Sequence, residues 1–144
     1  KGTVLIILLA IALLLAVTAF YVQGDNKSMK KISIGQYPLL VHLATSEFEQ
    51  SKGLSGRADL PHGEGLLFIF ESAETKAFWM KDMIFSIDII WLNEKGLVVG
   101  LDQNIAPESY PKQFYSPAPV KYVIEVPAGW TAAKPDLVGS ALRF

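Results

Sequence analysis

The residue of this sequence best suited to chemistry is an aspartate set in an apolar run. Residues 84–92 read IFSIDIIWL. Side chains alternate along a strand, so Phe85, Ile87, Ile89 and Trp91 share one face. Ile84, Ser86, Asp88, Ile90 and Leu92 share the other. Asp88 therefore has apolar neighbours on its own face. Taking an unpaired carboxylate out of water costs about several kcal/mol, so it requires a cation or several backbone amides. The chain holds two arginines, Arg57 and Arg143. A guanidinium fork matches a carboxylate at two points. The expected partner of Asp88 is Arg57 or Lys81. The pair is read either as a pin that locks a loop to a sheet or as a ligand or catalytic site.

A second group lies at residues 78–82, FWMKD. In a strand Trp79 and Lys81 point one way, and Phe78, Met80 and Asp82 the other. Aromatics packing in a core with Lys81 snorkelling at its rim is one reading. The other is a Trp79 platform beside a cation, suited to a flat or anionic small ligand or a saccharide. The candidate ligand-binding residues are thus Arg57, Trp79, Lys81 and Asp88.

Other chemistries lack their residues. With no cysteine, disulfides, thiolate metal sites and a Cys nucleophile are excluded. Two separated histidines, His42 and His62, make a poor zinc set, and no metal or cofactor is expected. Neither Ser55 nor Ser86 sits in a nucleophile elbow, and no phosphate-cradling glycine motif is present. Lys1 is the one charge before Asp25, so 12 of the 13 basic residues and all 14 acidic ones follow. That balance, without a basic stripe, gives no support for nucleic-acid binding.

These side chains must be positioned by a small domain behind an apolar leader. Residues 3–22 carry no charge, Gly or Pro. About twenty such residues suffice for a helix to cross a bilayer core. The run is read as a transmembrane anchor, with secretion after cleavage of a signal peptide as the alternative. The domain beyond it is expected outside the cytoplasm. Residues 23–30 read as a linker, and residues 31–144 as one domain.

Within that domain, Ser46 and Glu49 have capping-box spacing, so a short helix is expected over residues 47–52, ended by Gly53. Strand patterns cover residues 31–35, 39–45, 66–71, 76–81, 84–92, 97–101, 120–126 and 141–144. Tyr37-Pro38 reads as a turn, and residues 93–96 as a hairpin turn. Residues 105–119, with four prolines, read as a long ordered loop. Many short strands and one small helix give a mostly β fold, a β-sandwich or an open barrel.

Five segments in order, GLSGR at 53–57, GLLFIF at 65–70, FWMKDM at 78–83, IDIIWL at 87–92 and VIEVPAG at 123–129, resemble the small prokaryotic family called domain of unknown function 192. The resemblance spans about residues 32–144. It implies a jelly-roll-like β-sandwich, often secreted or anchored, without an established activity. By position, the family's characteristic residues fall on Arg57, Trp79, Lys81 and Asp88. Two positions depart from the family's pattern: Ser55 stands where Met is common, and Gly139-Ser140 where Gly-Asp is common.

Three functions are consistent with this reading. The first is a membrane-tethered extracytoplasmic module that binds a small molecule, saccharide or envelope protein. The second is an envelope hydrolase or lyase using Asp88 with Glu64. The third is a purely structural assembly protein.

Overall fold

The computed structural model describes residues 29–144 and residue 11. The anchor expected over residues 3–22 and most of the linker lie outside the described residues, Ile11 excepted. Among the described residues, no helix is long and apolar enough to cross a membrane.

Among the described residues, nine strands form two unequal sheets. The strands are β1 (Lys30–Ile34), β2 (Tyr37–Ala44), β3 (Glu64–Glu74), β4 (Ala77–Trp79), β5 (Ile87–Leu92), β6 (Val98–Ile105), β7 (Gln113–Tyr115), β8 (Val120–Pro127) and β9 (Leu142–Arg143). Seven of them join in the order β6-β5-β8-β3-β2-β1-β9, and β4 pairs with β7 alone. The large sheet curls into a half-barrel. Its two ends meet at one point, where Leu97 bridges Ala141 and the Val98 amide donates to the Ser140 carbonyl at 2.9 Å. The expected mostly β fold with one short helix is what forms, and the curl matches a barrel-like sheet more closely than a sandwich of two comparable layers.

The helix α1 spans Glu47–Lys52, as its capping box dictates. Ser46 Oγ accepts from the Glu49 amide at 3.3 Å, and the Glu49 carboxylate accepts from the Ser46 amide at 3.0 Å. Gly53 then turns the chain at φ 52°, a left-handed region open to glycine at little cost. The link from β2 through α1 to β3 is a parallel crossover, with Leu40 to Ala44 paired to Glu64 to Phe68.

Two predicted turns and loops differ. Tyr37-Pro38 opens β2, because Gly35, at φ 58°, makes the turn one step earlier. Residues 105–119 contain a 3-10 turn, Pro107–Ser109, and β7. A three-residue strand between prolines carries too little periodicity to be read. It nevertheless pairs with β4, so Phe78 faces Phe114 across the small sheet.

All six residues of β5 are buried, because the central sheet has a core on each side. The first core gathers Ile34, Leu39, Val41, Leu67, Ile90, Leu92, Ile124 and Val126 with Trp130 and Leu137. The second gathers Leu54, Leu66, Phe68, Met80, Ile87, Ile89, Trp91 and Val123, with Phe78 and Phe114 of the small sheet against it. Phe78 meets both Phe68 and Trp91 edge-on, with ring centroids 4.8 and 5.4 Å apart.

Candidate functional site

The alternation of β5 decides the fate of Asp88. Its side chain shares the face of Ile90 and Leu92, hence the first core, and is 0 % exposed. Its Oδ1 accepts from the Asn104 amide at 2.8 Å. Its Oδ2 accepts from the Thr131 amide at 3.0 Å and the Thr131 hydroxyl at 2.7 Å. The expected pairing with Arg57 or Lys81 is therefore corrected. Of the two ways to hold a buried carboxylate, this protein uses backbone amides. The reason lies in β6, whose pairing with β5 shifts register between Ile87 and Ile89. Asn104 sits there at φ 53°, and its amide is turned to Asp88. Asp88 thus joins this irregularity to the turn after β8. Glu64, its proposed acid–base partner, instead lies 3.9 Å from His42.

Across the sheet, on the second core, sits a carboxyl group that sequence reading passed over. Glu125 occupies the middle of β8, with Leu66 of β3 on one side and Ile89 of β5 on the other. It is 5 % exposed, and its Oε2 has no hydrogen-bond partner among the described residues. Burial pushes its pKa up to about 8, and the positive charge of Arg57 offsets this only in part. Near neutral pH Glu125 is therefore mostly a protonated acid. It carries a donor and an acceptor, and no group among the described residues bonds Oε2.

That carboxyl forms one wall of a cavity of about 310 Å³. Phe68, Phe70, Phe78, Trp79 and Met83 supply its apolar walls, and Lys52 and Lys76 its basic ones. The chain from Gln50 to Ser55 closes the remaining side. A Cβ at Gly53 would stand 3.8 Å from Glu125 Oε2, so the backbone approaches the acid closely at this residue. Ser55 Oγ donates to the Lys81 carbonyl at 2.7 Å, which ties the segment after α1 to the turn after β4. Here the Ser that departs from the family's pattern has a defined structural use.

The four expected site residues divide between the two faces. Trp79 lines the cavity and remains 47 % exposed, with Tyr110 edge-on at 5.8 Å. The ammonium of Lys81 lies 6.0 Å from the Trp79 ring centroid. Arg57 lines a neighbouring, larger groove of about 760 Å³ with His42, Phe48 and Asp59, and its charge acts on Glu125. Asp88 belongs to the opposite core. Among the described residues no group of three His, Cys, Asp or Glu is placed to hold a metal ion.

Residues 30–144 match the family model of DUF192, described as an uncharacterized ACR. The chain belongs to the DUF192 family. Two solved structures share its fold. A candidate transcription regulator from Sinorhizobium meliloti 1021 is 24 % identical, with a TM-score of 0.75, over 81 % of this chain and 93 % of that one. A protein of unknown function from Novosphingobium aromaticivorans is 22 % identical, with a TM-score of 0.77, over 84 % and 89 %. No curated protein matches the chain. At these identities the DUF192 likeness speaks for the fold, and the site must be argued from its own chemistry.

Proposed function

We propose that this DUF192 domain is a small-ligand-binding module, with its site in the aromatic cavity floored by Glu125. One observation carries the reading: a buried carboxyl group, one oxygen of which has no partner among the described residues, lines a preformed space. Leaving a buried polar atom unsatisfied costs about 1–3 kcal/mol, and a fold tolerates that where a ligand uses the atom. At about 310 Å³ the cavity falls at the small end of ligand sites. An envelope hydrolase or lyase is less well supported, since Asp88 is spent on amides and Glu125 is the one acid lining this cavity. A purely structural role leaves the buried, unpartnered carboxyl oxygen without a use.

The test is an amide-shift titration of the labelled full chain in detergent micelles with indole, phenol and benzamide. Shifts centred on Gly53, Phe78, Trp79 and Glu125 are expected. No shifts, or shifts centred elsewhere, overturn the reading.

We further propose that residues 3–22 tether the module to the cell membrane, with the domain on the extracytoplasmic side. Their uncharged apolar length supports this, and a tether holds a binding domain near ligands of the envelope. The full chain should remain with membranes after an alkaline carbonate wash, and external protease should digest the domain in intact spheroplasts. Release by carbonate counts against the anchor, and protection from protease against the orientation.

A further inference from the structure

The walls of the cavity narrow the kind of ligand, if the site is the one just proposed. Three features act together. First, the aromatic faces that would attract a cation are served by the protein's own ammonium groups. Lys76 Nζ lies 4.4 Å from the Phe70 centroid, and Lys81 Nζ lies 6.0 Å from that of Trp79. With Lys52 on the wall and Arg57 acting on Glu125, a cationic ligand meets like charge on several sides. Second, Glu125 is the one acid among the described residues that line the cavity, and its buried Oε2 has no partner among them. An anionic head placed against the neutral acid would accept from its O–H, but its second oxygen would face the acid's carbonyl oxygen with no proton between them. Third, the side walls are flat rings and a thioether, which favour a planar apolar body.

We propose that the cavity takes a flat, uncharged ring bearing a carboxamide or lactam edge, and that this edge pairs with the Glu125 carboxyl. A neutral carboxylic acid presents an O–H donor beside a C=O acceptor. An amide edge presents N–H beside C=O in the complementary order, so two hydrogen bonds form and neither partner carries charge into the apolar site. The cavity has room for a body of about one or two rings. Ionisation of Glu125 removes the donor and breaks the match, so affinity must fall as pH rises through about 8.

Three near-isosteric probes separate the cases: benzamide, the cation benzamidinium and the anion benzoate. Each is titrated against the full chain in micelles by saturation-transfer NMR, at about pH 6.5 and about pH 9.5, on either side of the acid's titration. Benzamide should bind most tightly of the three, about tenfold better at the lower pH. Glu125→Gln keeps a donor beside an acceptor. It should hold benzamide affinity within about threefold while flattening the pH profile, whereas Glu125→Met should lose about tenfold or more. Preference for benzamidinium or benzoate, or loss in Glu125→Gln as large as in Glu125→Met, overturns the amide assignment and leaves the cavity as a binding site. Failure of all three probes to bind in a Trp79-dependent way overturns both. Thermal unfolding of each variant keeps a folding defect from being read as lost affinity.

Discussion

Glu125→Met should make the protein more stable, and increasingly so as the pH rises. In the folded state the acid's pKa stands at about 8 because burial disfavours the carboxylate, against an ordinary value of 4.5. Between those values the folded protein holds a proton that the unfolded chain has released. Stability contributed by this group is therefore fully present below about pH 4.5 and is lost as pH rises through about 8. A shift of this size, at about 1.4 kcal/mol per unit, amounts to on the order of 5 kcal/mol across the window. That is a large share of the roughly 5–15 kcal/mol that holds a domain together. Met has a similar length, adapts to irregular space and does not titrate. The difference in urea unfolding free energy between Glu125→Met and the natural protein should grow by a few kcal/mol from about pH 5 to about pH 9. A difference that stays constant across that range contradicts the burial of a titrating acid. The expected gain also bears on function: groups kept at a cost in stability concentrate where a protein binds or reacts.

How much of this was legible in the residues differs between the two acids. Asp88 announced itself as a lone carboxylate in IFSIDIIWL. Glu125 stands in VIEV under the same rule, a single acid among β-branched residues. The surrounding VIEV run is otherwise ordinary strand pattern, which masks that signal. What no pattern could give was the side of the sheet. A central sheet with a core on each face turns two neighbouring acids toward different surroundings. It sends Asp88 to the amides of Asn104 and Thr131, and Glu125 to the aromatic cavity. Arg57 is legible as a rare cation following a capped helix, yet its charge acts on Glu125 rather than Asp88. The helix over residues 47–52 and the hairpin of β5 and β6 were legible because capping and alternation are local. The small sheet of β4 and β7 was not, because its strands are three residues long and meet only through tertiary packing.

Asp88→Asn should destabilise the protein by about 2–4 kcal/mol while leaving the cavity's affinity for benzamide unchanged. Both carboxylate oxygens accept from backbone amides, one on either side. Asn has one acceptor oxygen. Whichever way it turns, its NH2 faces the N–H of Asn104 or of Thr131, and one buried donor is left opposed by another. The Thr131 hydroxyl, which also accepts from Gln103 Nε2 at 2.7 Å, belongs to the same network, so the loss extends into β6. The Asn104 and Thr131 amides should exchange with solvent faster than in the natural protein, ahead of the strand amides of the second core. This outcome separates a pin from a ligand group. An aspartate that contacts ligand, replaced by its isostere, would weaken binding with little change in unfolding free energy. Since Asp88 lies behind the sheet from the cavity, stability and affinity should respond to different acids, Asp88 governing the first and Glu125 both. A loss of benzamide affinity in Asp88→Asn with stability unchanged would reverse the assignment of the two faces.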